Sequence, residues 1–207
     1  MLQALIEQID TIRRQANFLT IAEVLQLTKR KNILLDPFSL LISKDVVLGS
    51  NNVFYPNVVL QTGDKGKLTI QDSNAFFPNT LFLAKQGTIH VGDGNQFGDG
   101  GCSIKSNGEK TKIIIGDQGR YINGPTIVGN TILGNGSQVL GSITVQDCIL
   151  DGGGSFETSE PDQRGAVLKG MGLARNITLK QGEVIQAYGT FTQAIIRLQS
   201  YYHPKEK

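Results

Sequence analysis

The sequence predicts a mainly β protein, a single parallel β-helix with helices at both ends. Three observations lead to this prediction. Apolar residues recur every six positions through the middle of the chain, longer segments of similar pattern follow one another, and both termini show helical periodicity instead. Such self-similarity is typical of a solenoid, in which each coil buries its apolar face only by stacking on its neighbours.

The six-residue period is clearest in two runs of apolar residues within the segment 44–188. The first run is Ile115, Tyr121, Ile127, Leu133, Val139 and Val145, and the second is Val167, Leu173, Leu179 and Ile185. Between apolar positions the chain must turn through the corner of a prism. Gly, Asn, Asp and Ser suit such corners, because they tolerate turns and a positive φ.

A longer repeat supports the prediction more strongly than the six-residue period. Five segments begin with an apolar residue, followed by a turn-forming cluster and a second apolar residue six positions later; they start at Val47, Ile70, Val91, Ile115 and Leu133. The starts are 23, 21, 24 and 18 residues apart, and 18 residues make three sextets, or one triangular coil. The residues by which the longer repeats exceed 18 fall in the polar stretches 63–67, 85–88 and 107–112. We interpret these stretches as loops at one corner.

The ends of the chain have helical spacing. Residues 2–16 carry an amphipathic stripe, and Thr20 with Glu23 fits a capping box at the start of a second helix. A closing helix is expected over Thr190–Tyr202, and helices at both ends would cover the open edges of the solenoid. The predicted organisation is an N-terminal helical cap at 1–43, a parallel β-helix at 44–188 with a protruding loop at 151–166, and a C-terminal helix and tail at 189–207.

Composition restricts the classes of partner. The chain has 20 basic and 18 acidic residues, and a net charge of +2 gives no reason to expect nucleic acid or an anionic membrane. Two cysteines are too few for a disulfide framework or a four-thiolate zinc site. No apolar run approaches the ~20 residues of a membrane span, and no signal-peptide pattern is present, so a cytoplasmic protein is expected.

At 115–145 and 167–185 the chain resembles the hexapeptide-repeat superfamily, whose fold is the left-handed parallel β-helix. Most characterised members are acyl- or acetyltransferases with CoA or acyl-carrier-protein donors; others are γ-class carbonic anhydrases, nucleotidyltransferase appendages or catalytically silent scaffolds. The resemblance implies a homotrimer, with acyl-CoA or acetyl-CoA as a possible co-substrate and no bound cofactor. Because several repeats exceed 18 residues, a right-handed β-helix stays an alternative.

The resemblance also implies that one histidine acts as a general base for an acceptor hydroxyl or amine. Of the two histidines, His203 lies in the tail, whereas His90 lies in a strand whose alternation turns it outward. An outward position suits catalysis between subunits. The equivalent positions of other coils, however, are occupied by Thr69, Ile114 and Ile132, which are typical of an ordinary strand surface. A γ-carbonic anhydrase is disfavoured, because its metal needs three histidine ligands.

The segment 151–166 interrupts the sextets and is expected to be functional or simply mobile. In this superfamily such loops reach across the subunit cleft, so the resemblance makes Glu157, Glu160 and Arg164 candidates for contacts there.

A column of acidic residues offers a weaker candidate. Asp72, Asp93 and Asp117 occupy equivalent positions of successive coils, and stacked carboxylates could collect a cation such as Ca²⁺. Asp is also a good turn residue, so no metal is expected.

Two functional hypotheses therefore follow from the sequence. The first is acyl transfer from a CoA-type donor to an unknown hydroxyl or amine, with His90 near the cleft between protomers. The second is a catalytically silent β-helix that acts as a scaffold or assembly subunit.

Overall fold

The computed structural model describes residues 2–203, and most of them form a parallel β-solenoid with three faces. Face A contains β1 (Ile33–Leu34), β4 (Val53–Phe54), β7 (Ala75–Phe76), β10 (Gln96–Gly98), β13 (Arg120–Ile122) and β16 (Gln138–Leu140). Face B contains β2 (Leu41–Ile42), β5 (Val59–Thr62), β8 (Thr80–Ala84), β11 (Cys102–Ser106), β14 (Thr126–Val128) and β17 (Ile143–Gln146). Face C contains β3 (Val47–Leu48), β6 (Lys67–Ile70), β9 (Thr88–Val91), β12 (Lys112–Ile115), β15 (Thr131–Leu133), β18 (Ile149–Leu150) and β20 (Thr178–Leu179).

Two longer strands join faces A and B at the C-terminal end. β19 (Val167–Arg175) pairs with β16 through its first residues and with β17 through its last, and β21 (Glu183–Thr190) pairs along it. Gly170 and Gly172 have φ of 120° and 129°, conformations that let β19 bend around this edge. The predicted parallel β-solenoid is confirmed. The left-handed winding stays a prediction.

The predicted register is correct in the middle of the solenoid and one residue wrong at both ends. In the first repeat Leu48, not Val47, pairs with Ile70, and Val47 is 62% exposed. A one-residue shift exchanges the inward and outward sides of a strand. The first half of the second apolar run is likewise displaced, because Leu168 and Ala174 point inward where Val167 and Leu173 were expected. Leu179 and Ile185, its other two members, are buried as predicted. The first coil also begins at β1, within the segment assigned to the N-terminal cap.

A stack of aromatic rings fills the interior behind face A. Phe54, Phe76, Phe97 and Tyr121 lie on successive coils, and their ring centroids are 5.0, 5.3 and 5.3 Å apart in near-parallel pairs. All four side chains are fully buried. Aromatic pairs at such separations contribute about 0.5–1.5 kcal/mol each beyond the burial of their area.

A ladder of buried asparagines runs beside the aromatic stack. The side-chain oxygens of Asn32, Asn52 and Asn74 accept from the backbone N–H of the next asparagine, at 2.8–2.9 Å. Asn95 ends the ladder by accepting from the Gly119 N–H at 2.8 Å. Because these groups are shut off from water, each bond satisfies a backbone donor that would otherwise be costly to bury. This ladder fixes the register of the N-terminal coils.

The N-terminal helices contact the solenoid in an unexpected way. α1 (Leu2–Gln15) leaves its apolar stripe in solvent, with Leu2 70% and Ile12 66% exposed. Its buried residues are Asp10 and Arg13, and Arg13 donates to backbone carbonyls that include those of Leu40 and Phe38. The stripe predicts the helix correctly, but not which side of it is buried.

The second helix covers the open end of the solenoid. α2 (Ile21–Gln26) has the predicted capping box, with Thr20 and Glu23 each bonded to the other's backbone N–H. Val24 belongs to the hydrophobic core, and a 3-10 helix at Leu27–Arg30 extends the segment.

The closing helix predicted over Thr190–Tyr202 is wrong. This segment contains 3-10 turns at Gln193–Ile195 and Gln199–Tyr201, separated by β22 (Arg197–Leu198), which pairs antiparallel with β21. The β-branched residues of this segment favour extended backbone, and pairing with β21 satisfies its hydrogen-bonding groups. Within 2–203, the helices are all too short or too polar to cross a membrane. The last residues of the predicted tail lie outside the described residues.

Candidate functional site

His90 lies where the alternation of β9 predicts. Ile89 and Val91 are buried, His90 is exposed on face C, and the strand register places it between Thr69 and Ile114. A histidine that acts as a base is usually oriented by a hydrogen bond from its second ring nitrogen. None of the described residues forms such a bond with the His90 imidazole. The catalytic role of His90 stays a prediction, and its surroundings give it little support.

The outward column that contains His90 becomes apolar towards the C-terminus. Ile114, Ile132 and Ile149 occupy this column on three successive coils of face C. Ile132 and Ile149 are each 41% exposed, and Ile114 is half-buried. We call these three residues the isoleucine ladder. It forms an apolar ridge along the outer side of face C.

The loop 151–166 folds back on itself at the corner between faces C and A. Gly154 forms a parallel bridge with Arg164, and the Gly165 N–H donates to the Gly154 carbonyl at 2.9 Å. Arg164 also donates through Nε to the Thr158 carbonyl at 2.8 Å. The base of the loop is therefore closed by its own backbone.

Of the three loop residues predicted as contacts, the structure separates Glu157 from Glu160 and Arg164. Glu157 is exposed and lines a shallow pocket with Gln96 and Gln118. Glu160 and Arg164 line a second cavity together, and Arg164 also lines a third. His90 lines none of these cavities. Within one chain His90 and the loop therefore share no cavity, and their meeting in a groove between subunits stays a prediction.

A groove on the outer side of face A is the functional feature that the sequence interpretation missed. It has a volume of about 240 Å³ and lies between the loop 151–166, strands β13 to β21 and the end of the described chain. We call it the basic groove. Its cationic side chains are Arg120, Arg164 and Lys169, and His203 lines it as well. Arg120 and Lys169 occupy outward positions beside buried Tyr121 and Leu168. The six-residue period predicts inward residues, but not which outward residues share a groove.

The acidic column forms backbone contacts. Oδ1 of Asp72, Asp93 and Asp117 accepts from the backbone N–H of Ser50, Asp72 and Asp93 on the preceding coil, at 2.6–2.8 Å. Asn135 continues the series by accepting from Asp117. These bonds explain the column as a corner ladder. Within 2–203, no cluster of three His, Cys, Asp or Glu side chains could hold a metal ion.

Both cysteines, Cys102 and Cys148, are free and buried. Burial raises the pKa of each thiol above its ordinary value. Neither is therefore an activated nucleophile, because the thiolate is the reactive form.

Comparison with known proteins adds little beyond the fold. No protein-family model and no curated protein matches the sequence. Among solved structures the chain is similar to LpxA from Acinetobacter baumannii, with 16% sequence identity and a TM-score of 0.38. The similarity covers 76% of this chain and 69% of that one. Function therefore has to be inferred from the geometry of the chain itself.

Proposed function

We propose that this protein is a scaffold or assembly subunit that associates with further copies of itself through face C of its C-terminal coils. The isoleucine ladder is the observation that carries the proposal. Its members stand on adjacent coils, ~4.8 Å apart, so a single partner surface can cover all three. Removing apolar area from water stabilises an association by ~25 cal/mol per Å² before its costs are subtracted.

The outward residues of face B on the same coils provide a comparison for the isoleucine ladder of face C. On the same three coils the outward residues of face B are Ser103, Thr126 and Thr144, although this column is apolar at Val59 and Leu81 on the two preceding coils. Threonine is β-branched and suits a strand about as well as isoleucine does. On these coils strand formation therefore does not require isoleucine, and burial in a contact supplies a reason for the three isoleucines of face C.

A homotrimer is the assembly that we propose, as the hexapeptide resemblance implies. Copies related by closed rotational symmetry bury equivalent patches and leave no open end for further growth. A straight ridge on a flat sheet face suits such a contact. A cytoplasmic location remains the expectation from the sequence.

Acyl transfer is the second candidate, and the position of His90 favours it. His90 is one coil from Ile114 in the same outward column. A contact between copies through the isoleucine ladder would therefore bring His90 to its margin, where a CoA-type donor and a hydroxyl or amine acceptor could meet. In that case the imidazole would remove the acceptor's proton.

The assembly is tested by sedimentation equilibrium of the wild type and the Ile132→Asp variant. We expect a trimer mass for the wild type and a monomer mass for the variant, because a carboxylate in an apolar contact loses its hydration. Thr144→Asp is the matched control on face B and should stay trimeric. A monomeric wild type at all concentrations, or an Ile132→Asp variant with the wild-type mass, contradicts the proposal.

The two candidates are separated by the response to CoA compounds. The scaffold proposal predicts no thermal stabilisation by CoA or acetyl-CoA and no acetyl transfer to a panel of amines and alcohols. Acetyl transfer that disappears in His90→Ala, with the oligomer intact, would instead establish the enzyme.

A further inference from the structure

The basic groove has a polar floor and walls from two separate parts of the chain. Its floor is the outward side of face A, where Arg120, Gln138 and Val167 are aligned by strand register. Phe156 and Arg164 of the loop form one wall. Tyr202 and His203 form the other. Segments far apart in sequence thus meet around one small cavity.

The charges of the groove are strongly one-sided. Arg120, Arg164 and Lys169 contribute three cations, and within the described residues no carboxylate lines this cavity. The nearest acidic residues, Glu160 and Asp162, line the adjoining cavity with Arg164, and Asp162 already accepts from the Ser200 N–H at 2.8 Å. Cations gathered in a concave site attract an anion more strongly than the same charges spread over a surface.

Arg120 is the residue that points most directly to a ligand. Its guanidinium lies 4.3 Å from the centroid of the Phe156 ring, which holds the planar group against the loop. Its Nε is buried and has no hydrogen-bond partner among the described residues. Buried polar atoms are almost always paired, so the unpaired Nε shows that the rest of the described chain leaves hydrogen-bonding capacity of this guanidinium unused. A guanidinium that lines a cavity can donate to an oxyanion there.

The groove also has an apolar side. Phe156, Leu140 and Tyr202 line the same cavity as the cations. Ligand sites commonly combine apolar lining with a few polar groups that fix orientation. The volume of about 240 Å³ is enough for a small head group and part of an attached ring.

We infer that the basic groove binds a small organic phosphate, a phosphomonoester with an aromatic or apolar body. Three cations match a dianionic phosphate better than a single carboxylate, and the planar Arg120 can bond two of its oxygens. The aromatic lining contacts the body of the ligand. This site lies on face A and is separate from the contact proposed on face C.

The inference is tested by calorimetric titration with phenyl phosphate as the probe. Three further compounds separate the contributions: inorganic phosphate lacks the aromatic body, phenol lacks the phosphate, and benzoate carries a carboxylate in place of the phosphate. We expect phenyl phosphate to bind more tightly than the other three and more weakly as ionic strength rises. Absence of phenyl phosphate binding, or tighter binding of benzoate, overturns the inference.

Four variants test which residues carry the binding. Arg120→Gln should weaken phenyl phosphate at least tenfold, and Phe156→Leu should weaken phenyl phosphate but not inorganic phosphate. Lys105→Gln removes a cation from face B and should leave the Kd unchanged. If circular dichroism shows that Arg120→Gln is unfolded, the exposed Lys169→Gln decides, with a loss of at least threefold expected. An effect of Lys105→Gln as large as that of the groove variants contradicts the site.

Discussion

The N-terminal and C-terminal coils share one backbone design but differ in where their specialised residues lie. Up to Tyr121 the interior holds the aromatic stack and the asparagine ladder, and the surface has a separate cavity of about 460 Å³ beside the N-terminal helices, lined by residues that include Lys29, Arg30 and Lys44. Beyond it the inward positions of face A are aliphatic, and the loop 151–166, two of the three members of the isoleucine ladder and much of the basic groove lie on the outside. We infer that the buried ladders make the N-terminal coils the more stabilising region, whereas the two surfaces proposed for binding lie mainly on the C-terminal coils.

Tyr121 marks the boundary between the two regions. The next position of the asparagine ladder is Gly119, and a Cβ there would clash with the Tyr121 hydroxyl. That hydroxyl lies 3.0 Å from the Ser137 hydroxyl, and burial raises its pKa, so it stays protonated. One tyrosine thus ends the aromatic stack and fills the space that the asparagine ladder leaves.

The largest effect on stability is expected from the aromatic stack. Phe97→Ala should lower the free energy of unfolding by about 3–5 kcal/mol, because it leaves a cavity between two stacked rings. Urea denaturation measures this value. Phe156→Ala, a half-buried ring in the C-terminal loop, should cost much less. Equal losses in the two variants would contradict the division into a stabilising and a binding region.

The asparagine ladder should give the next largest effect. Asn74→Ala removes the side-chain oxygen that accepts from the Asn95 N–H and the side-chain N–H groups that donate to backbone carbonyls. Because the partner groups are then buried without a hydrogen bond, we expect the free energy of unfolding to fall by about 2–4 kcal/mol. The control is Asn130→Ala in the C-terminal coils. Asn130 accepts from the Lys112 N–H on the exposed surface, where water can replace it. A loss for Asn130→Ala that matches Asn74→Ala would show that burial is not the cause.

The smallest expected effect is the pH dependence of the capping box in the N-terminal cap. Hydrogen bonds from Thr20 lower the pKa of Glu23. A carboxyl whose pKa is lowered by folding stabilises the protein at pH values above its pKa in the unfolded chain, about 4.3. This contribution disappears as the pH falls through the pKa of the folded state. Since Glu23 is largely solvated, we expect less than about 1 kcal/mol. Denaturation between pH 7 and pH 3 should show a steeper decline for the wild type than for Glu23→Gln; parallel curves would refute the assignment.

Sequence patterns predicted the interior of the middle coils well. The run from Ile115 to Val145 is wholly buried, since the spacing of inward residues is a direct result of the strand and corner geometry. The patterns failed where a polar residue sets the register. Asn52 aligns with Asn74 inside the core, and this pairing moved Leu48 inward in place of Val47.

The candidate sites were less predictable than the fold. The outward position of His90 follows from alternation within one strand, which the sequence contains. The basic groove instead depends on Arg120 and Tyr202 lining the same cavity as the loop 151–166. The course of that loop does not follow from any periodicity in the sequence. The C-terminal segment was misread because Phe191, Ile195 and Leu198 have helical spacing, although only Phe191 is buried.

Side-chain footprinting with hydroxyl radicals tests most directly the claim that the C-terminal coils form the binding surface. The wild type and Ile132→Asp would be oxidised at one concentration at which the wild type is assembled, and modification of each residue measured by mass spectrometry. The account predicts that Ile114 and Ile149 are less oxidised in the wild type than in the variant. Val47, which lies in the same outward column at the N-terminal end, should be oxidised equally in both. Equal oxidation of Ile149 in the two proteins, or protection of Val47 instead, would contradict it.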